Sequence, residues 1–295
     1  MELVRRPPES PAVIRARGGA SASEPVASLL RYLIPEGTWA DNPPLWRPYS
    51  GLGWRLLAAV QWGADPADSR LHAAVEAMLG MAPGRGGFSR HEGGREVPWL
   101  TARALHALAE LGWCRHSRFQ EALAWLEEGE VEHTAGGWRV VDRGPASGEC
   151  AVTAVALLGA LTAYGDQRRE VLRDRAVKSL VRVIGLEGRP PTPLGHPCFG
   201  RTDDAEILSA LAGASAPLAP GMVPALSGIQ RRQLEGGRWS REIPVPKSLP
   251  VPADGSFGGP SRWVTLKCVV ALMTYAVEAG LLRMYPMKPV PPPTQ

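Results

Sequence analysis

Cysteine is scarce in this sequence, with four residues among 295, at positions 114, 150, 198 and 268. They are widely spaced and give no disulfide framework. The opening stretch, "MELVRRPPESPAVIRARGG", carries charge and proline but no apolar core of a secretory signal. The expectation is a cytoplasmic protein with reduced thiols. No run of 18 apolar residues occurs, which excludes a membrane-spanning helix. Lysine and arginine exceed the acids by only four, and no basic run is long enough to track a nucleic-acid backbone. The chain shows no G-x-S-x-G elbow, no Walker loop and no G-x-G-x-x-G after a strand. Sustained apolar–polar alternation is missing as well, which excludes a sheet protein. Phenylalanine and tyrosine are rare, at four and five, yet there are ten tryptophans. Tryptophan is hard to bury without a partner for its N–H, so this skew draws attention to where the tryptophans fall.

What the sequence does contain is a repeat. "GWRLLAAV" starts at Gly53, "TARALHAL" at Thr101, "TAVALLGA" at Thr153, "DAEILSAL" at Asp204 and "TLKCVVAL" at Thr265. The intervals are 48, 52, 51 and 61 residues. Each segment has apolar residues at i, i+3, i+4 and i+7, often on more than one face, and reads as a largely buried helix. A more polar helix is expected before each, over 24–34, 67–80, 117–127, 168–184 and 220–234. Glycine pairs recur in the loops between, in "GGFS", "GGWR" and "GGRW". Buried helices alternating with amphipathic ones form an inner and an outer ring. The predicted fold is all-α: an α/α toroid of about five outer–inner helix pairs over 23–285. Residues 1–22 read as an unstructured N-terminal segment, and 286–295 as a proline-rich tail.

The glycine–aromatic loops, the "TA…AL" helices and the closing "GGPSRWVTLKCVVAL" resemble the squalene-cyclase and prenyltransferase repeat family. They are similar above all to its small single-toroid bacterial members. The resemblance covers roughly residues 24–284. It implies a cavity at the inner-helix N termini and a hydrophobic small-molecule partner of the isoprenoid class. Class II cyclases of this family carry DxDD before an inner helix, and its middle acid protonates an alkene or epoxide. Here Gly200, Arg201, Thr202 and Asp203 occupy that motif, so the acid's position is Thr202 and Asp203 is the family's last aspartate. No DDxxD segment is present for magnesium–diphosphate ionisation. The family's zinc enzymes suggest a further set, Cys150, His196 and Cys198, as three ligands with an open fourth position. The spacing is not that of a metal motif, and the expected cofactor set is empty.

The candidate site follows from these positions. Asp203 and Asp204 open the fourth repeat helix. If both face a low-dielectric cavity, like charges raise one pKa and supply a general acid; if not, they cap the helix. Glu149 in the adjacent repeat completes the catalytic carboxylates. Arg201 and Arg262 stand three residues before Asp204 and Thr265, placed for an anionic head group or an ion pair. Trp99 and Trp263 stand two residues before Thr101 and Thr265. With Trp54 and Trp138 they are candidates for cavity walls, against ordinary core packing. His91 in "SRHEGG" lies in a loop at the same end.

Overall fold

The computed structural model describes residues 10–31, 46, 51–80, 86–89, 94, 96–128, 151–165, 169–196, 200–244, 257–276 and 278–281. Its helices are α1 (Pro11–Ala22), α2 (Glu24–Arg31), α3 (Leu52–Gln61), α4 (Ser69–Gly80), α5 (Pro98–Glu110), α6 (Ser117–Glu128), α7 (Ala151–Tyr164), α8 (Glu170–Ile184), α9 (Asp204–Gly213), α10 (Val223–Arg231) and α11 (Arg262–Tyr275). The five repeat segments fall on α3, α5, α7, α9 and α11. The five polar-faced helices fall on α2, α4, α6, α8 and α10.

Apolar residues surround α7 on every side, so only full burial suits it. Eight of its residues, from Thr153 to Leu161, are buried. It packs against α5 and α9 along the inner row and against α8 outside it. Along that row α3 meets α5, α5 meets α7, α7 meets α9 and α9 meets α11. The outer helices are one-sided: α8 buries Leu172, Ala176, Leu180 and Ile184, one per turn, and leaves Val171 and its charges in solvent. The architecture is the predicted all-α toroid of inner and outer helix pairs.

Contacts between inner helices join residues at matching depth. Trp54, third in α3, lies 5.9 Å from Trp99, second in α5. Gly159, ninth in α7, faces His106, ninth in α5, so closely that a Cβ there would lie 2.6 Å from the imidazole. Ser209, sixth in α9, donates its hydroxyl to the carbonyl of Lys267, sixth in α11, at 2.8 Å. One helix length further on, the Tyr275 hydroxyl reaches the Ala216 carbonyl at 3.0 Å. The inner helices therefore run parallel, and their N termini share one end of the molecule, the mouth.

Two local features add to this architecture. Within 1–22, Pro11–Ala22 is helical: Pro11 pre-sets the first turn and the Ser10 hydroxyl caps it by accepting from Val13 N. No residue of α1 is buried; its anchors are the Ser21 hydroxyl, which accepts from Asp65 N, and Arg17 beside Glu110. A strand pair also exists, two residues each, β1 (Trp239–Ser240) against β2 (Pro260–Ser261), antiparallel, at the entrance to α11. No helix among the described residues is long and apolar enough to cross a membrane.

Candidate functional site

The two adjacent aspartates do not share a pocket. Asp203 is the N-cap of α9: its backbone is extended, and Oδ1 accepts from Glu206 N at 2.7 Å. Its Oδ2 accepts from Gly195 N at 2.9 Å and from the Lys267 ammonium on α11 at 3.0 Å. Asp204, one residue on, turns to the opposite side of the helix start. Its Oδ1 accepts from the Thr192 hydroxyl at 2.8 Å and lies 2.7 Å from Arg189 Nη2. Its Oδ2 has Arg232 Nη2 at 3.9 Å. Asp203 thus belongs to the mouth and Asp204 to the outer wall, beside the ends of α8 and α10.

This geometry favours the capping alternative for Asp203. Burial by itself would raise the Asp203 carboxyl, but the Lys267 charge and the N–H groups of Gly195 and Glu206 outweigh it and hold the group below its ordinary value. Asp203 is a carboxylate near neutral pH and has no proton to give. Asp204 turns away from it, with the Thr192 hydroxyl and the Arg189 and Arg232 guanidinium groups around its carboxylate.

A charge column in the repeat, missed in reading the helix starts alone, forms the inner surface of the mouth. Two residues after each repeat anchor stand Arg55, Arg103, Val155, Glu206 and Lys267. Arg103 Nη1 on α5 lies 3.1 Å from Glu206 Oε1 on α9, although α7 sits between those helices. The pair therefore crosses the space that the inner helices enclose. Arg103 also donates to the Arg201 carbonyl at 3.4 Å, and it is 1% exposed. An uncompensated charge so deep would cost several kcal/mol, which explains why the column carries both signs.

Above this layer His196 stacks on Trp263, with ring centroids 5.0 Å apart and planes 18° apart. Burial, reinforced by the Lys267 and Arg241 charges, pushes the imidazole down to about 3, against a smaller opposing pull from Asp203. His196 is neutral across the physiological range. Its Nε2, Trp263 Nε1, Thr202 Oγ1, Thr153 Oγ1 and Glu206 Oε2 are buried without a hydrogen-bond partner. These atoms belong to α7, α9, α11 and the segment leading into α9. Clustered unmet polar atoms at one end of a fold call for a water or a ligand.

The remaining expectations divide. Trp54 and Trp99 meet near the mouth, with Trp46 edge-on to Trp54 at 6.0 Å and the Trp54 N–H donated to the Trp46 carbonyl. They form a packed aromatic group at the start of α3 and α5. Arg201 and Arg262 are exposed, and the cation on Asp203 is Lys267 instead of Arg201. Glu149, Cys150, Cys198, Trp138 and His91 lie outside the described residues. Among the described residues no group of three metal-ligating side chains is present. Of the cysteines that are described, Cys268 is buried and pushed up to about 12, chiefly by burial, and Cys114 to about 11 for the same reason; both are thiols, unsuited as they stand to nucleophilic chemistry.

No protein-family model matches the chain, and no curated protein matches it. Among solved structures, the chain is similar to the type II terpene cyclase MstE from Scytonema in its apo form, with 16% identity over 90% of this chain and 98% of that one, at a TM-score of 0.35. It is also similar to a variant of the same enzyme in complex with merosterolic acid A, described as its product, with 14% identity over 90% and 97% of the two chains, at a TM-score of 0.32.

Proposed function

We propose that the chain is a ligand-binding toroid that holds a hydrophobic small molecule of the isoprenoid class by an anionic head group at its mouth, without acid-driven cyclisation. The observation that carries this reading is the charged layer at the mouth, where Arg103 and Lys267 meet Glu206 and Asp203 beside buried polar atoms that have no protein partner. Five helix N termini add partial positive charge at the same end. The unpartnered His196, Trp263 and Thr202 groups offer neutral hydrogen bonds beside that charge. The isoprenoid body is what the repeat's family resemblance implies, and the aromatic group of Trp46, Trp54 and Trp99 supports it. Acid catalysis is not part of the reading, because Asp203 is held as a carboxylate and the family's acid position is Thr202.

The test is a calorimetric titration with farnesyl diphosphate, farnesol and inorganic diphosphate, with product analysis after long incubation. The diphosphate ester is expected to bind at least about tenfold, or 1.4 kcal/mol, tighter than the alcohol, and to be recovered unchanged. Equal affinity for the alcohol would remove the head-group argument. A cyclised product that disappears in Asp203→Asn would restore the acid-catalysis reading.

A further inference from the structure

Asp204 lines a cleft of about 460 Å³ on the outer wall of the toroid. The cleft lies where the C-terminal end of α8 and the segment after it meet α10, on the far side of α9 from the mouth. Gly185 and Gly221 close its base: a Cβ on Gly221 would come within 2.8 Å of the Gly185 Cα, so only paired glycines let the two helix ends meet. Ile184, Leu186, Pro191, Pro224 and Ala225 give it apolar walls. Leu186 is 56% exposed, an apolar side chain left at the rim. A concave, mostly apolar space with a few placed polar groups, of this size, is the usual form of a small-molecule site.

The polar group at its floor is prepared for an anion. Asp204 is 2% exposed and already engaged by Thr192 and Arg189, and as an anion it would not attract one. Its effect is on Arg189. Its Nη2 contact to a buried carboxylate anchors the guanidinium beside the cleft and leaves the other N–H groups of the fork for a second acceptor. Arg231, exposed on the rim, adds a second cation, while Glu187 is exposed on the other edge. An apolar wall with an oriented arginine matches a molecule with an apolar body and one oxyanion.

We propose that this cleft is a second small-molecule site, separate from the mouth, for a compact apolar molecule carrying a carboxylate or a phosphate. The Arg189 fork takes the oxyanion, and the walls from Ile184 to Ala225 take the body.

Gly228 provides a test that spares the fold. It lines the cleft, and a Cβ there would meet nothing within 4 Å. Gly228→Leu therefore extends an apolar side chain toward the cleft from a helical position whose Cβ has free room. The full chain is titrated with octanoate, octyl phosphate and octylammonium by calorimetry. Saturable one-to-one binding of an anionic probe is expected, without binding of octylammonium. Octanoate alone would assign a carboxylate ligand, octyl phosphate alone a phosphate, and both the shared oxyanion. Gly228→Leu should weaken the anion at least about tenfold without lowering the melting temperature. Arg189→Lys, which keeps the charge on Asp204 but loses the planar fork, should weaken it too. No saturable binding by either anion, equal binding of octylammonium, or unchanged affinity in Gly228→Leu would overturn the proposal. None of these outcomes bears on the mouth, because farnesyl diphosphate binding there is measured separately and should survive Gly228→Leu.

Discussion

Asp203 and Asp204 are neighbours in sequence, equally charged and almost equally buried, at 1% and 2%. They nevertheless sit in different regions with different partners. Asp203 faces the mouth, and its cation is Lys267, whose side chain is 16% exposed and whose ammonium is tied to Asp203 and the Gly195 carbonyl. Asp204 faces the outer wall, where Arg189 and Arg232 are 17% and 22% exposed, and Arg232 keeps Glu242 at 3.2 Å as a second partner. Burial of the carboxylate alone does not separate the two. What separates them is what the partner loses with the carboxylate: in the mouth an ammonium loses an anion 3.0 Å away, and on the wall one guanidinium borders an open cleft and the other retains a carboxylate.

That comparison is broken most strongly at Asp203. Asp203→Asn keeps the shape and the helix cap but removes the carboxylate 3.0 Å from the Lys267 ammonium. The expected loss is about 3–5 kcal/mol, the usual result of breaking a buried pair from one side. The double variant Asp203→Asn with Lys267→Met should recover much of it. Urea denaturation of the three proteins measures both. A double variant no more stable than Asp203→Asn would mean that the pair is not what holds the mouth.

Acid sharpens the comparison next, because His196 belongs to the mouth and, among the described residues, no histidine lines the wall cleft. Its folded value, about 3, lies below the ordinary unfolded value near 6.5. Between those values the unfolded chain binds the proton and the folded chain does not, so stability rises with pH across that window. Below pH 6.5 the expected loss is up to about 1.4 kcal/mol per pH unit. His106, whose imidazole burial also lowers, contributes with the same sign. Asp203 adds a loss only at lower pH, below the ordinary carboxylate value, as its own depressed value is approached. His196→Gln should flatten the profile of melting temperature between pH 6.5 and 5. An unchanged slope would show that His196 is not buried neutral.

On the wall the effect is smaller. Asp204→Thr installs the residue found at Thr101, Thr153 and Thr265 in the sister helices. It removes the contacts to Thr192 and Arg189, but a cleft borders Arg189 and Arg232 retains Glu242. The expected loss is about 1–2 kcal/mol, in the range of a hydrogen bond to a charged group. A loss as large as that of Asp203→Asn would erase the distinction between the two regions.

The repeat made the helix pairs legible, because burial on several faces at a fixed interval is a strong pattern and has few folded solutions. The direction of Asp203 and Asp204 was not legible, because it depends on which loop returns to meet them. Thr192 and Gly195, the residues that claim one carboxylate each, belong to a segment without periodicity. Lys267 and Arg103 could have been found. Each is a cation within the apolar stretch of an inner helix, two residues past the repeat anchor, and the same column holds Arg55 and Glu206. Reading the repeat by columns, beyond its starts, exposes that layer. Arg189 had no such signal, since a single arginine in "GLEGRPP" reads as a surface loop.

The smallest expected effect lies at the other end of α9 and serves as its control. Inner helices close with a residue in the left-handed region: Gly63 after α3 at φ 78°, Gly112 after α5 at 83° and Gly165 after α7 at 68°. After α9 the same place is held by Ser215, at φ 55°. The hydrogen bonds match, with Ala64 N to the Ala59 carbonyl, Trp113 N to Leu108 and Ala216 N to Leu211. A side chain in that region costs roughly 1–2 kcal/mol, and glycine's greater freedom in the unfolded chain offsets part of the gain. Ser215→Gly should therefore raise stability by about 0.5–1 kcal/mol. It should do so equally in the wild type, in Asp203→Asn and in Asp204→Thr, because distant sites without shared partners add. A gain confined to one of those backgrounds would show that the end of α9 is coupled to its start, and that the two aspartates cannot be compared as independent sites.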